Sequence, residues 1–254
     1  MRSPSYFDAF KNFAMSRDEK GVLTFRFHTN GGPVRFTGQT HEDLPRALEE
    51  IALDKDNRAM VLTGTGDAFM DQIDGDSLGE IFKPAHWEKI RVEGLKVLQR
   101  FVELPMPVVG VANGPATVHS EYLLLSDVHI ASDRAVYGDI AHPGFAITGG
   151  DGLQVVWEAV AGLARAKWLL WTGETIDAET ARQWGVVNEV VPHERALARG
   201  LEVAAMLAAK PDLYRKLQKQ TLNQSLRRRI IEGVPYGMAL EGLTASDLAY
   251  QQAG

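Results

Sequence analysis

The chain has 254 residues, 45% of them apolar, so it can fill the core of one large α/β domain. Its formal net charge of −6 argues against nucleic acid as a partner, although an arginine cluster at 227–229 is locally basic. Without cysteine it cannot form disulfides, a thiolate zinc site or a cysteine nucleophile. It has no apolar leader and no apolar run of about eighteen residues, so we expect a cytoplasmic protein without a membrane partner.

The first third of the chain alternates strand and helix signals. An apolar stretch at 22–28 predicts a strand, and a helix is predicted to begin at Thr40, which can cap it with Asp43 three residues on. A buried strand is predicted at 58–64. The glycine- and aspartate-rich segment 64–79 that follows is too long to be a simple connection.

The middle of the chain continues the alternation. A long amphipathic helix is predicted at 85–103, because Pro105 cannot continue it. Short strands are predicted at 108–112, 127–132 and 135–138. The segment 139–152 contains three consecutive turn signals. Strands that alternate with helices imply βαβ units and a largely parallel sheet.

The last part of the chain has a helical pattern. After a short predicted strand at 186–191, only helices are expected, interrupted at Pro211 and at 232–237. A helical tail without its own sheet must bury its apolar stripe on the sheet domain or on another subunit. We therefore predict a core domain at 1–194 and a C-terminal helical region at 195–254.

Two of the seven histidines, His119 and His142, lie in loops that follow predicted strands, where α/β sheets bind their ligands. His142 lies nine residues before Asp151 in the turn-rich segment, which can fold back and place a carboxylate on an imidazole. The other five are interpreted as structural (His28, His129), as solvated surface groups (His41, His193) or are left open (His86).

Several familiar motifs are missing. The glycine-rich stretches lack the spacing of a phosphate loop or a dinucleotide fold, and no G-x-S-x-G elbow occurs. His119, Glu121 and His142 are suitable metal ligands by type, but no H-E-x-x-H spacing supports a metal site. We therefore predict no metal and no other cofactor.

Three stretches together resemble the crotonase superfamily: "VLTGTGDAFMDQIDGDS" at 61–77, "PMPVVGVANGPA" at 105–116 and "LLWTGETIDAETARQWGVVNEVVP" at 169–192. The resemblance implies an α/β fold of stacked ββα turns, a ββα superhelix with a main and a smaller sheet. It also implies C-terminal helices that assemble homotrimers or dimers of trimers. An oxyanion hole would be formed by the backbone N–H groups of Ile73 and His119.

The sequence departs from the CoA-thioester members of that superfamily. Their glycine triplet is replaced by "VHS" at 118–120, and their two hydratase glutamates fall on Tyr122 and Ala141. The segments 113–121 and 139–152 instead resemble the branch of 6-oxocamphor hydrolase and related β-diketone hydrolases. Members of that branch add water to cleave a carbon–carbon bond that lies between two carbonyl groups, without CoA or metal.

The resemblance implies four catalytic residues, His142, Asp151, His119 and Glu241. His142, partly neutral near pH 7, would be the base that Asp151 orients, and His119 would stabilise the oxyanion or the departing enolate. Glu121 would orient His119 or cap the next helix. The predicted substrate-binding residues are Phe36, which replaces a tryptophan of the branch, and Phe69, Ile73, Trp87, Tyr122 and Phe145.

The predicted function is thus a cofactor-independent hydrolase that opens a cyclic β-diketone to a keto acid by a retro-Claisen reaction. Two alternatives stay open at this stage: a crotonase acting on a CoA thioester with altered catalytic groups, and a non-catalytic assembly subunit.

Overall fold

The computed structural model describes residues 4–253. Its strands are β1 (Phe13–Arg17), β2 (Val22–Phe27), β3 (Arg35–Phe36), β4 (Ala59–Thr63), β5 (Gln72–Ile73), β6 (Val108–Ala112), β7 (Val128–Ser132), β8 (Val136–Tyr137), β9 (Ile176–Asp177) and β10 (Glu189–Val191). Its α-helices are α1 (Gly38–Leu53), α2 (Pro84–Glu103), α3 (Glu121–Leu124), α4 (Ala141–Phe145), α5 (Leu153–Ala161), α6 (Leu163–Thr172), α7 (Ala178–Gln183), α8 (Ala196–Ala208) and α9 (Asp212–Ala253).

The main sheet has six strands in the order β1-β2-β4-β6-β7-β10, and only the β1–β2 pair is antiparallel. All five residues of β4 and of β6 are buried, as expected for parallel strands that are covered on both faces. Met60 and Leu62 face the cluster that includes α1, α2 and α5, whereas Val61 between them packs with α8. The predicted parallel α/β fold is confirmed.

Several element boundaries differ from the prediction. The helix predicted from Thr40 begins at Gly38, and its cap is Thr37, whose side chain accepts a hydrogen bond from the Thr40 amide. The antiparallel strand β1 was not predicted. The break at Pro211 is confirmed, but the predicted interruption at 232–237 is wrong, because α9 continues through Pro235.

The long helix α9 explains how the last part of the chain reaches the centre of the molecule. It packs along α2 and against α5, so its side chains approach the turn that precedes α5. Gly150 and Gly237 lie so close together that a Cβ on Gly150 would come within 2.9 Å of the Gly237 Cα. This close approach brings Glu241 over the turn, where one of its carboxylate oxygens accepts the Gly150 N–H at 3.1 Å.

Two small sheets complete the frame. The β3–β5 pair places Phe36 opposite Ile73, and β8 pairs with β9. Isolated bridges from Met70 to Ala116 and from Ala116 to Tyr137 connect these strands beside the carboxyl end of β6. No helix within the described residues has both the length and the apolar character needed to cross a bilayer.

Candidate active site

A cavity of about 460 Å³ lies between the β3–β5 pair, the N-terminal half of α2, the turn before α5 and the C-terminal part of α9. Its walls are mainly apolar: Phe36, Ile73, Leu78, Ile81, Phe82, Trp87, Ile90, Phe145, Ile147, Met238 and Leu248 among others. Its polar groups gather on one side around His119, His142, Asp151 and Glu241. Within the described residues, no lysine or arginine lines it, so a neutral ligand fits it better than an anionic one.

The polar side of the cavity is a continuous chain of acids and imidazoles. His119 Nδ1 lies 2.8 Å from Glu121 Oε1 and 3.4 Å from Asp151 Oδ2. The same Asp151 oxygen lies 3.8 Å from His142 Nε2, which in turn lies 3.3 Å from Glu241 Oε1. Asp151 therefore links the two histidines, and the four residues that the resemblance singled out converge on one place.

The second ring nitrogen of His142 has a partner that sequence reasoning missed. Nδ1 lies 3.0 Å from Oδ2 of Asp139, a residue only 2% exposed. Asp151, which we expected to orient His142, lies on the Nε2 side of the ring instead. Asp139 stands three residues before His142 at the start of the turn-rich segment, and that spacing could have indicated it.

His119 is held in an unusual local conformation. Its φ is +47°, in the left-handed region that a non-glycine residue seldom adopts. Its ring stacks on Tyr122 with centroids 4.9 Å apart and planes 5° apart, and it contacts Phe36 at a centroid distance of 4.3 Å. The ring is thus clamped between two aromatic side chains, with Nδ1 turned toward the carboxylates.

The two backbone N–H groups that the resemblance implies are both near the cavity. No acceptor among residues 4–253 receives the N–H of His119. Asp74 N–H donates to the Phe36 carbonyl at 2.8 Å, and in a parallel pair this leaves the N–H of Ile73 directed away from β3. Both groups can therefore donate to a ligand oxygen.

The acids change the protonation of both rings. Burial disfavours the imidazolium of His142, but the charge of Asp151 and the hydrogen bonds to Asp139 and Glu241 outweigh it. The pKa of that ring is therefore raised well above its usual value of 6.5. Burial likewise opposes the charged form of His119, yet Glu121 and then Asp151 raise the pKa of its ring.

The carboxyl groups are perturbed in turn. Burial, aided by the charge of Asp151, raises the pKa of Glu241 to about 7 despite the nearby His142. Burial also raises the pKa of Glu121, against the attraction of His119. One oxygen of Glu121 and one of Asp151 are buried without a hydrogen-bond partner among the described residues.

His119, Glu121 and Asp151 lie close enough to hold a metal ion, as do His142, Asp151 and Glu241. The geometry thus permits metal binding, although the first of these groups already contains a short imidazole–carboxylate hydrogen bond.

The predicted pocket residues are placed unequally. Phe36, Ile73, Trp87 and Phe145 line the cavity. Two do not: Phe69 is fully buried, and Tyr122 lies behind the His119 ring.

His41 was predicted to be a solvated surface group, and this is wrong. It is 6% exposed, lines the cavity, and its Nδ1 lies 3.1 Å from Glu93 Oε2. Its spacing to Leu44 and Leu48 places it on the inward face of α1, a signal that its charged sequence neighbours concealed.

A parallel ββα fold with C-terminal helices over a site at the carboxyl end of β6 defines a crotonase. Residues 18–247 match the family model "Enoyl-CoA hydratase/isomerase", so the chain belongs to that family of the crotonase superfamily. Both the resemblance and the predicted fold class are thereby confirmed.

Individual relatives are more specific. The chain is 42% identical to a β-diketone hydrolase from the cyanobacterium Anabaena sp. PCC 7120, whose structure contains bound (S)-3-oxocyclohexyl acetic acid. The two structures superpose with a TM-score of 0.96 over 98% of this chain and 100% of the other. It is 28% identical to a 1,2-epoxyphenylacetyl-CoA isomerase of Escherichia coli (strain K12), over 84% of this chain and 82% of the relative. It is 29% identical to a short-chain-enoyl-CoA hydratase of Clostridium acetobutylicum, over 74% and 72% respectively.

Proposed function

We propose that the protein is a cofactor-independent hydrolase of a cyclic β-diketone. It adds water across the bond between one carbonyl carbon and the carbon that separates the two carbonyls, and it releases a keto acid. The observation that carries this proposal is the pair of imidazoles joined by Asp151 at one side of an apolar cavity that no lysine or arginine among residues 4–253 lines. The similarity to a β-diketone hydrolase supports the same reaction class.

The reaction needs a base for water. The raised pKa of His142 favours its charged form, so its neutral form must be generated. A neutral ligand that expels water from the cavity raises the cost of the ion pair between His142 and Glu241. Because the pKa of Glu241 is about 7, the proton can move from the ring to this carboxyl, and His142 Nε2 then accepts a proton from water.

The oxygen of the attacked carbonyl becomes negative when water adds to it. The N–H groups of Ile73 and His119 are the donors we assign to this oxyanion. Removing one such donor typically costs about 2.7–4 kcal/mol of transition-state stabilisation. Collapse of the oxyanion breaks the carbon–carbon bond, and the electron pair leaves with the second carbonyl as an enolate.

The enolate must then be protonated at carbon. His142 returns the proton that it took from water, so diketone and water together give the keto acid with no atom left over. The protonated ring of His119, held between Phe36 and Tyr122, stabilises the negative charge while the enolate exists. Glu121 and Asp151 keep that ring charged.

The ligand of the Anabaena relative suggests a first substrate to test. The keto acid 3-oxocyclohexyl acetic acid has the composition of bicyclo[2.2.2]octane-2,6-dione plus water. Breaking the bond between one carbonyl of that diketone and the bridgehead carbon gives this ring and this side chain. The cavity of about 460 Å³ is large enough for a compact bicyclic molecule of this kind.

A CoA thioester is the second candidate substrate, because two relatives of known name act on CoA compounds. Against it, the positions that match the hydratase glutamates are Tyr122, which is buried behind His119, and Ala141. Neither side chain supplies a carboxylate.

We also propose that the chain forms a homotrimer or a dimer of trimers. Large apolar side chains are exposed on α6 and α9, among them Trp168, Trp171, Leu213, Tyr236 and Leu243. Light scattering should give three or six times the chain mass of 28.0 kDa. A monomer in dilute solution would contradict this part of the proposal.

The test of function is a comparison of substrates. The protein is incubated with cyclic 1,3-diketones and, separately, with short acyl- and enoyl-CoAs, each with and without a chelator. We expect a diketone to be converted to a keto acid at the same rate with and without chelator. We expect no comparable turnover of a thioester. Replacement of His142 by alanine should remove turnover, whereas His193→Ala, outside the cavity, should retain it. Turnover of thioesters alone would refute the proposal.

A further inference from the structure

Asp139 and His142 form a largely enclosed contact at the edge of the cavity. Both carboxylate oxygens of Asp139 lie near the ring Nδ1, at 3.0 and 3.2 Å, and the Oδ1 atom also accepts the backbone N–H of His142 at 3.2 Å. The Asp139 side chain is 2% exposed. Gly149 packs over the pair, because a Cβ there would lie 3.3 Å from the carboxylate and 3.4 Å from the ring.

The two edges of the His142 ring compete for its proton in the neutral form. On the cavity side, Nε2 lies 3.3 Å from Glu241 and 3.8 Å from Asp151. While Glu241 is ionised, these carboxylates favour a proton on Nε2, and a ring in that tautomer cannot accept one from water there. On the buried side, the Asp139 carboxylate accepts but cannot donate, so it favours the proton on Nδ1.

We propose that Asp139 is a positioning residue that holds His142 in the Nδ1–H tautomer and so leaves the Nε2 lone pair directed into the cavity. The inference rests on the proposed function for its catalytic consequence, but the tautomer itself can be measured without substrate. Asp151, on the other edge of the ring, then links the two histidines and does not set the tautomer.

The test is Asp139→Asn. The asparagine oxygen can still accept the backbone N–H of His142, so the turn keeps its hydrogen bond, while the amide NH₂ can only donate to Nδ1. The neutral ring is then forced to carry its proton on Nε2. We expect kcat for a β-diketone to fall on the order of 10⁴-fold, as a wrong tautomer does in a catalytic triad, with a much smaller change in KM.

A matched control separates positioning from folding. Asp177 accepts the N–H of the residue three positions on, Thr180, in the same way that Asp139 accepts that of His142, but it lies outside the cavity. Asp177→Asn should leave kcat within about twofold. Equal losses of kcat in Asp139→Asn and Asp177→Asn would overturn the inference.

Two readouts respond to the tautomer itself. ¹⁵N NMR of histidine-labelled protein above the pKa of His142 should show Nδ1–H in the parent and Nε2–H in Asp139→Asn, even if no diketone is turned over. The charged groups facing the ring are Asp139, Asp151, Glu241 and His119. Only the first is changed, so the pKa of His142 falls and the acid limb of residual activity moves to lower pH. An unchanged tautomer in the variant would overturn the inference.

Discussion

The contact between Gly150 and α9 sets the geometry of the site, and a single methyl group tests it. In Gly150→Ala the new Cβ would lie 2.9 Å from the Gly237 Cα, about 1 Å inside an ordinary carbon–carbon contact, and it would also strike the Gly237 carbonyl. Backbone lies on both sides of this contact, so the turn and α9 must separate by about 1 Å. That separation moves Asp151 and Glu241 apart, although both must lie near the same His142 Nε2 atom.

A misplacement of about 1 Å costs on the order of 10²-fold in rate. We therefore expect kcat/KM of Gly150→Ala to fall on the order of 10²-fold, with overpacking lowering the free energy of unfolding by about 1–3 kcal/mol. Steady-state kinetics and urea unfolding measure the two effects. Gly144→Ala is the matched control, since a Cβ there meets nothing within 4 Å. Activity of Gly150→Ala within about threefold of the parent would refute the reasoning.

The remaining predictions concern protonation and a buried hydrogen bond. Loss of one proton from the His142–Glu241 pair generates the base, so kcat/KM should rise with pH along an acid limb near the Glu241 pKa of about 7 and then stay level. Glu241→Gln removes the group that takes this proton, so the limb should shift to the pKa of His142 itself; a limb that stays near 7 contradicts the proton sharing. The buried indole N–H of Trp157 donates to Ser120 Oγ at 3.1 Å, so Trp157→Phe should lower the free energy of unfolding by about 1–3 kcal/mol in urea titrations. A free energy of unfolding that changes by less than about 0.5 kcal/mol would show that this hydrogen bond is irrelevant.

The sequence was sufficient for the parallel sheet and insufficient for details that depend on packing. The buried strands β4 and β6 were predicted because both faces of a parallel strand must be apolar. The interruption at 232–237 was predicted from glycine and proline alone. In the structure α9 continues through Pro235, because its contacts with α2 and α5 stabilise the helix beyond its local propensity.

Within the site, the resemblance to β-diketone hydrolases identified candidate residues that lie far apart in the chain. His142 and Glu241 are 99 positions apart, and no local pattern links them. What the sequence missed were the partners of the rings. Asp139 was hidden because a short turn, rather than a helix or strand, brings it onto His142, and His41 was hidden by the charged residues beside it. The raised pKa of His142 was not foreseen, because three carboxylates that only the fold brings together act on its ring.

The most direct test of the central claim is turnover of bicyclo[2.2.2]octane-2,6-dione in ¹⁸O-labelled water, followed by mass spectrometry. The account predicts 3-oxocyclohexyl acetic acid with one ¹⁸O in its carboxyl group, formed without CoA, and none from His142→Ala. Recovery of this diketone and of the other cyclic 1,3-diketones unchanged, with activity confined to CoA thioesters, would contradict it.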